Sequence, residues 1–462
     1  MKDFSIAIPH YINEQLKKHL IIGEEQEEAA FAFWYPSYGS QRVTALIHSI
    51  EFPSGEEDRI LQGNVVIQPS YFKRVCNLAM QKKCGIALLH SHPGRGWQDM
   101  SSDDIRAELK FSSPTETLTD LPFIGLTIGQ DGSWSGRFWN YSAKKKSFER
   151  KWATCIRVFG EKFEIHHNDN LQPKIKLREH FKRTITVWGK ENHKKLARLR
   201  IGIIGLGSVG SIVAETLARM GMQRITLIDF DKIKVHNLDR TLGAVEKDIG
   251  KRKVEVIAKS IKKSATAESI EVNIVPHSIA SKKGYEAALD CDILFSCVDK
   301  PRPRYILNHL AYNHLIPVID GGIQVRFKDN MEFTGAEWQV QTVGPDRPCL
   351  ECLEAYSPFE VDLEVNGLLE DPTYIKGLSK EYLKKKNNEN IFPFSTNLAS
   401  MEIFHFITLV TDIGETNNFG VQRFRFNNGF ISNYENKKCS DACSFQKNIA
   451  TGDLQFIVYD RL

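Results

Sequence analysis

Short apolar runs alternate with amphipathic stretches of helical length through the second half of the chain. From residue 180 onward the alternation is regular and predicts, in order, these strands and helices: Arg200–Gly205, Ser208–Met220, Arg224–Asp229, Lys251–Lys262, Glu271–Pro276, Ile293–Cys297, Pro303–Asn313 and Pro317–Asp320. Strands that alternate with helices of this length are typical of a parallel sheet with helices on both faces. The pattern predicts a doubly wound, mainly parallel α/β domain over residues 180–462.

The first part of the chain has a different pattern. Ile12, Leu16 and Leu20 share one face of a predicted opening helix. Strands then alternate with helices, and the predicted strands are Ala29–Tyr35, Arg42–Ser49, Gly85–Leu89, Phe123–Ile128 and Gly136–Trp139. We expect a separate α/β domain over residues 1–142. Residues 143–179 mix charges with aromatic side chains and are predicted to be a structured connector.

Composition narrows the function classes. The chain has 462 residues, 42% of them apolar, which is too many for one ordinary core. The formal net charge of +4 is too small to favour nucleic acid or an anionic membrane as the main partner. No apolar run is long enough to span a bilayer and the first residues lack a signal-peptide core, so we expect a cytoplasmic protein.

The first candidate site lies in the run His90-Ser91-His92-Pro93 and the later run Ser101-Ser102-Asp103-Asp104. Residues two apart in a strand point to the same face, so His90 and His92 can offer both imidazoles to one metal ion. Asp104 is a plausible third ligand. Three protein ligands with one open position are typical of catalytic zinc.

A hydrolytic zinc site also needs a base to take a proton from water. Glu27, just before an apolar strand, is the first choice, and Glu28 is the second. A simpler interpretation is that Ser101 and Asp104 form an ordinary helix capping box, but it leaves the paired histidines unexplained.

These residues resemble the JAB/MPN (JAMM) metalloproteases, which remove ubiquitin and ubiquitin-like proteins by cleaving isopeptide or peptide bonds. The resemblance implies a JAB/MPN-like α/β domain with one catalytic Zn²⁺. It also implies that Ser101 stabilises the oxyanion of the tetrahedral intermediate.

The second candidate site begins with Gly205-x-Gly207-x-x-Gly210, between a predicted strand and a helix. Glycines there let backbone N–H groups and the positive helix end approach a phosphate. Asp229 ends the next strand, where a ribose-binding carboxylate is expected. These features alone fit an NAD-dependent dehydrogenase equally well.

The residues that follow favour ATP. They supply two cations, an amide and a carboxylate within a short stretch, which could bind a triphosphate and offset charge on departing pyrophosphate: Asp231, Asn237, Arg240 and Lys253. Asp299, after a further strand, could hold Mg²⁺. A hydride-transfer enzyme has no use for this set.

Residues 178–445 resemble the ThiF/E1-like adenylyltransferases, which activate ubiquitin and sulfur-carrier proteins on a Rossmann-like fold. The resemblance implies that Asp229 binds ribose and that Asp299 coordinates magnesium. Phosphate contacts would fall to Asn237, Arg240 and Lys253. Arg183 matches an arginine that reaches into the site of a partner subunit, which implies a homodimer.

Two cysteine pairs, Cys349-Leu-Glu-Cys352 and Cys439-Ser-Asp-Ala-Cys443, are spaced as in four-thiolate structural zinc sites. Burial of free thiols is the alternative. The segment between the pairs has no cysteine, so we expect no catalytic thioester on this chain.

Together, the motifs predict a bifunctional enzyme. One domain would adenylate the C-terminal carboxylate of a ubiquitin-like or sulfur-carrier protein that ends in glycine, with an E2-like acceptor downstream. The other would trim or detach that protein at the same glycine. The resemblances bring to mind protein tagging or antiviral defence. A sulfur-carrier enzyme of cofactor biosynthesis, an NAD-binding protein and a non-catalytic scaffold remain alternatives.

Overall fold

The computed structural model describes residues 2–23, 26–62, 64–328, 332–368, 390–413, 418–434 and 437–458. The chain forms two compact units. Unit 1 consists of Met1–Lys174, Asn313–Leu315 and Asn448–Gln455. Unit 2 consists of Ile175–Tyr312, Ile316–Lys447 and Phe456–Leu462.

Unit 1 is built on a nine-stranded sheet and a separate two-stranded sheet. Its strands are β1 (Asp3–Pro9), β2 (Ala29–Tyr38), β3 (Arg42–Glu51), β4 (Arg59–Gln62), β5 (Asn64–Ile67), β6 (Gly85–Ser91), β7 (Phe123–Ile128), β8 (Trp134–Ser142), β9 (Ser147–Trp152), β10 (Cys155–Phe159) and β11 (Phe163–His167). The large sheet has the order β11-β10-β1-β3-β2-β6-β7-β8-β9, and β4 pairs with β5. The helices are α1 (His10–Leu20), α2 (Pro69–Lys82) and α3 (Ser102–Thr119).

The opening helix lies where its apolar spacing predicts. Ile12, Leu16 and Leu20 of α1 are buried in one core cluster together with Ile6 and Trp134 from the sheet. A second cluster, which includes Phe31 and Tyr71, packs around α2. The central strands β2 and β6 contribute to both clusters, so their residues are buried almost throughout.

Most of residues 143–179, predicted as a structured connector, is part of unit 1. Strands β9, β10 and β11 belong to the large sheet, and β10 pairs in parallel with β1. One of the charged residues that suggested a connector is buried: Arg157, in the middle of β10, is only 1% exposed. A buried arginine interrupts the apolar run that would otherwise predict a strand.

Unit 2 contains the predicted strand and helix alternation. Its strands are β12 (Arg200–Ile204), β13 (Arg224–Ile228), β14 (Glu271–Val275), β15 (Ile293–Ser296), β16 (Val318–Phe327), β17 (Phe333–Val343), β18 (Val421–Arg425) and β19 (Phe430–Tyr434). Its helices are α4 (Lys182–Trp188), α5 (Lys190–Arg198), α6 (Ser208–Arg219), α7 (Lys253–Ser264), α8 (Lys282–Leu289), α9 (Pro301–Asn313), α10 (Pro358–Val365), α11 (Phe392–Val410) and α12 (Ser444–Lys447).

The unit 2 sheet has the order β14-β13-β12-β15-β16-β17-β18-β19. Strands β14 to β16 in this order are parallel, whereas β17, β18 and β19 extend the sheet in antiparallel fashion. The sheet is therefore mixed, with the predicted parallel half and an antiparallel extension. Strands β12 and β15 are parallel neighbours, and the chain adds successive strands on one side of β12 before it crosses to the other side at β15. In open α/β sheets, ligands bind outside the carboxyl ends of the strands at such a reversal of strand order.

No helix among the residues that the structure describes is long and apolar enough to cross a bilayer.

Candidate functional site

The residues predicted to bind a catalytic metal converge in unit 1. His90 lies in β6, His92 directly follows that strand, and Asp104 lies in the first turn of α3. The Nε2 atoms of His90 and His92 are 3.1 Å apart. The Asp104 oxygens lie 3.5 Å from Nε2 of His90 and 3.3 Å from Nε2 of His92.

These separations fit a zinc ion. Tetrahedral coordination at ordinary Zn–N and Zn–O lengths places ligand atoms about 3.3 Å apart. All three distances lie close to that value, so the three residues could hold one ion without rearrangement. The donor set of two imidazoles and a carboxylate leaves one position open, as a catalytic site requires.

The capping interpretation is correct, and the cap is compatible with metal binding. Ser101 is the N-cap of α3: its Oγ accepts a hydrogen bond from Asp104 N–H at 3.1 Å, and Asp104 Oδ2 accepts one from Ser101 N–H at 2.8 Å. The reciprocal bonds fix the Asp104 side chain, while Oδ1 stays directed toward His90.

The structure distinguishes the two candidate bases. Glu27 Oε1 lies 3.9 Å from His92 Nε2, so this carboxylate faces the cluster. The Glu28 carboxylate is instead buried against Arg59, which donates to both of its oxygens. Of the two carboxylates, Glu27 is thus the one that faces the histidine cluster.

Burial sets the protonation states of the cluster. It lowers the pKa of His90 to about 3, with a further contribution from the Arg137 charge. The neutral imidazole that binds metals is therefore the form present at neutral pH. Burial raises the pKa of Glu27, while the His92 charge opposes the rise. A raised pKa suits a carboxylate that must accept a proton and release it again.

The second site lies at the reversal point of the unit 2 sheet. Gly205 has a φ of +87°, and a Cβ on Gly210 would lie 1.9 Å from the Gly205 carbonyl oxygen. Only glycine fits at these two positions. The turn is held beside β15 because Cys297 N–H donates to the Ile204 carbonyl at 2.9 Å.

Three of the predicted nucleotide-binding side chains meet at this loop. Asp229 is buried and accepts hydrogen bonds from Leu206 N–H at 2.6 Å and Asp231 N–H at 2.7 Å. Burial raises the pKa of Asp229, although Lys253 opposes the shift. Lys253 Nζ donates to Asp231 Oδ2 at 2.8 Å. The loop, the two aspartates and the lysine form one connected network.

The other predicted residues lie on the loops around this network. Asn237 Oδ1 accepts from Lys234 N–H at 2.9 Å, and Arg240 pairs with Asp239 at 3.1 Å. Leu242 N–H donates to Ser211 Oγ at 3.0 Å, which holds this segment against the first turn of α6. Asp299 is exposed, three residues beyond the end of β15.

The four predicted zinc-binding cysteines also come together in unit 2. Their Sγ atoms, from Cys349, Cys352, Cys439 and Cys443, all lie within 4.8 Å of one another. The Cys349 and Cys443 sulfurs are 3.7 Å apart, close to the roughly 3.8 Å expected for two thiolates on one zinc ion. Hydrogen bonding from Cys349 lowers the pKa of Cys439 to about 5. None of the nine cysteines, all of which the structure describes, is in a disulfide bond.

One feature near the loop was not predicted from the sequence. An apolar groove of about 390 Å³ is lined by Val325, Phe327, Phe333, Asn390, Ile391, Phe394 and Phe426. Asn390 Nδ2 donates to Ser208 Oγ at 3.0 Å, and Ser208 begins α6 directly after the glycine loop. The only sequence signal is the clustering of aromatic residues in β16, β17 and the β18–β19 turn, which equally suits a core.

Comparison with known proteins gives a family match and partial relatives. The model of the ThiF family matches residues 181–444. The chain is 28% identical over 166 residues to the adenylyltransferase and sulfurtransferase MOCS3 of Caenorhabditis briggsae, covering 36% of this chain and 39% of that protein.

The names of two further relatives state different activities. The tRNA threonylcarbamoyladenosine dehydratase of Escherichia coli is 30% identical over 150 residues, covering 31% of this chain and 54% of its own. The SAMP-activating enzyme E1 of Haloferax volcanii is 27% identical over 187 residues, covering 39% and 64%. The chain thus spans less than two thirds of the length of each of these relatives.

Proposed function

Because the chain belongs to the ThiF family, we propose that unit 2 adenylates the C-terminal carboxylate of a ubiquitin-like or sulfur-carrier protein that ends in glycine. Unit 1 would be a JAB/MPN-like zinc hydrolase that cuts at the same glycine. The chain would then both activate a small carrier protein and process or detach it.

The network of Asp229, Asp231 and Lys253 at the glycine loop carries the adenylation proposal. Asp231 holds Lys253 at the glycine loop, so the charge of this lysine would already be positioned when a nucleotide binds. Arg240 lies on the loop attached to α6 and would add a second cation. Asp229 would bind the ribose, and Asn237 would contact a phosphate.

Asp299 would hold Mg²⁺ at the neighbouring strand end. The chemistry that such an ion would supply is neutralisation of phosphate charge. The chain's own contribution is to orient the carrier carboxylate toward the α-phosphate and to stabilise charge on the departing pyrophosphate. Formation of one acyl–phosphate bond then accompanies cleavage of the bond between the α- and β-phosphates.

The apolar groove offers a route for the carrier. Asn390 joins it to Ser208 at the end of the glycine loop, so a tail lying along the groove would reach the nucleotide. Phe333 and Phe426 line the groove and are each nearly half exposed, which suits an apolar surface on a partner protein.

The metal cluster of unit 1 carries the hydrolase proposal. His90, His92 and Asp104 would hold a zinc ion, which would supply Lewis-acid polarisation of a scissile carbonyl. Glu27 takes a proton from water and returns it to the leaving amine. Ser101 would donate a hydrogen bond to the developing oxyanion, while its lone pair keeps the Asp104 cap.

A homodimer is part of the proposal. The described residues of α4 include none that is buried, and Val187 on this helix is 72% exposed. A second copy of the chain would cover α4 and bring Arg183 toward the nucleotide of its neighbour. The four cysteines would bind a second, structural zinc ion.

ATP–pyrophosphate exchange tests the adenylation half. We expect the full chain to exchange labelled pyrophosphate into ATP only when a glycine-tailed carrier is present. The exchange should be lost in Lys253→Ala and Asp299→Ala but kept in the exposed control Lys251→Ala. Carrier-independent exchange, or exchange that persists in Lys253→Ala, would contradict the assignment.

Metal analysis tests the hydrolase half independently of any substrate. We expect two zinc ions per chain. His92→Ala should lose one and Cys349→Ser the other. A chain that keeps both ions in His92→Ala has no metal at the histidines, and the hydrolase proposal would then be abandoned.

The dehydratase relative suggests a second candidate, in which unit 2 activates a small molecule or a nucleoside in tRNA. Convergence of a zinc-type cluster in unit 1 favours the carrier, because both reactions would then act on the same C-terminal glycine carboxyl group: hydrolysis of an amide bond would release it and adenylation would activate it. Adenylation with tRNA and without a carrier would favour the alternative.

A further inference from the structure

The serine between the two histidines holds the segment that carries Glu27. Ser91 N–H donates to the Glu28 carbonyl at 3.0 Å, and Glu28 N–H donates to Ser91 Oγ at 3.0 Å. The next pair along the two strands is Ala29 opposite His90. The backbone beside Glu27 is therefore fixed directly to the residue that separates the two metal-binding histidines.

The side chain of Glu28 is fixed from the opposite direction. Arg59 at the start of β4 donates from Nε and Nη2 to the two carboxylate oxygens, and Ala29 N–H donates to Oε1 at 2.9 Å. The Glu28 side chain is 3% exposed and that of Arg59 is 16% exposed. Two parallel hydrogen bonds fix orientation as well as distance.

Arg59 is in turn anchored through its neighbour. Asp58 accepts hydrogen bonds from Arg74 of α2 at 2.6 and 2.9 Å, and from Ser54 N–H at 2.6 Å. Helix α2 is therefore linked to Glu28 through Asp58 and its neighbour Arg59, the first residue of β4. Neither Glu28 nor Arg59 is needed to explain the packing of the apolar core clusters around them.

We propose that Ser91, Glu28 and Arg59 form a clamp that positions Glu27 toward the cluster of His90, His92 and Asp104. The proposal rests on the proposed hydrolase function. The three clamp residues are positioning residues. They act through the backbone of Glu27, whose carboxylate already lies 3.9 Å from His92 Nε2.

Cobalt provides a probe that requires no substrate. Co²⁺ accepts the same nitrogen and oxygen ligands as zinc, and its visible absorption reports the ligand environment. The full chain is loaded with Co²⁺ at one fixed pH. Subtracting the spectrum of His92→Ala removes the signal of the cysteine site. Glu27→Gln then gives the spectral shift expected when the Glu27 carboxylate is lost.

We expect Ser91→Ala and Arg59→Lys to bind the same amount of Co²⁺ at the histidines and to shift the spectrum toward that of Glu27→Gln. Ser91→Thr keeps the hydroxyl and should restore the wild-type spectrum. Arg304→Lys is the matched control, because Arg304 pairs with Asp320 in unit 2 and the two side chains are 16% and 1% exposed.

The outcomes separate the two proposals. If Glu27→Gln shifts the spectrum while Ser91→Ala and Arg59→Lys do not, the clamp is overturned and the metal site stands. If His92→Ala changes nothing, no metal binds the histidines and the hydrolase proposal fails first. If Glu27→Gln itself gives no shift, Glu27 is not beside the metal, and the clamp is overturned with that role.

Hydrogen exchange of the metal-free full chain gives a second measurement. Loss of the hydrogen bond from Glu28 N–H to Ser91 Oγ should make that amide exchange about fivefold faster in Ser91→Ala. Ser91→Thr and Arg304→Lys should leave it unchanged. An unchanged Glu28 amide in Ser91→Ala would overturn the clamp even if the variant bound cobalt normally.

Discussion

The two candidate sites are supported in different ways. In unit 1, His90 is almost completely buried, and pairs such as Glu28 with Arg59 lie beneath the cluster. In unit 2, the Asp231 side chain is 47% exposed, and its partner Lys253, at the start of α7, is 11% exposed. A metal site needs a fixed, enclosed ligand set, whereas a nucleotide site must admit and release a large anion. The difference predicts that unit 1 is sensitive to loss of buried pairs and that unit 2 is sensitive to loss of charges on loops.

The largest expected effect is on the stability of unit 1. Arg137 and Glu108 are fully buried and bound to each other. Arg137→Met should lower the free energy of unfolding by about 3–5 kcal/mol, because Glu108 keeps an uncompensated charge. Urea denaturation of the full chain measures the loss. The double variant Arg137→Met/Glu108→Leu removes both charges and should recover much of it. Equal losses in the single and double variants would contradict this explanation.

The corresponding change in unit 2 should act on rate and leave stability unchanged. Lys253→Ala should reduce carrier-dependent ATP–pyrophosphate exchange by about 10²–10³-fold, the usual effect of removing a charge-stabilising donor. The denaturation midpoint and both zinc ions should stay as in the wild type. A large loss of stability in Lys253→Ala would contradict the expected difference in sensitivity between the two units.

A buried carboxyl group in unit 2 sharpens the comparison. Burial, together with the Asp320 charge, raises the pKa of Glu402 well above its ordinary value. Folding then keeps a proton that the unfolded chain releases, so this contribution to stability is present at low pH and is lost as pH rises. Between the unfolded and folded pKa values of Glu402, the free energy of unfolding of the wild type should fall by about 1.4 kcal/mol per pH unit relative to that of Glu402→Gln.

Denaturation at pH 5, 6 and 7 tests this effect, with Glu246→Gln at an exposed position as the control. Parallel pH profiles for wild type and Glu402→Gln would show that Glu402 is ionised in the folded chain. The buried carboxyls of the two units would then be alike in charge.

The smallest expected effect separates the two roles of Ser101. Ser101→Ala should destabilise unit 1 by about 1 kcal/mol through loss of the helix cap. Ser101→Asp keeps a capping acceptor and should recover the stability but not the hydrolysis of a carrier with a C-terminal extension. Full hydrolysis by Ser101→Asp would show that the Ser101 hydroxyl caps α3 and takes no part in hydrolysis.

Much of unit 2 could be predicted from the sequence, because buried parallel strands are apolar runs bounded by glycine or proline. The predicted strand Arg224–Asp229 ends within one residue of the observed strand Arg224–Ile228. Strand β10 was missed because Arg157 is buried inside it. Burial of a charge depends on tertiary partners, which local patterns do not contain.

In the candidate sites too, some residues could be selected from local sequence patterns and others depended on tertiary partners. Spacing alone was enough to select His90, His92 and Asp104 as one group. The choice between Glu27 and Glu28 required strand register and a partner, Arg59, more than thirty residues away. The apolar groove required the pairing of β17 with both β16 and β18, which no local pattern specifies.

The composition of unit 1 has a consequence for how this protein could be divided. Short segments from late in the chain complete it: His314 Nδ1 hydrogen-bonds Ser37 Oγ at 2.8 Å, and Asp453 accepts from Tyr38 N–H at 2.8 Å. Ala450 packs with Ala7, Leu46 and Leu315 in a small apolar cluster. A chain cut after residue 174 would therefore leave its amino-terminal product without part of its own core.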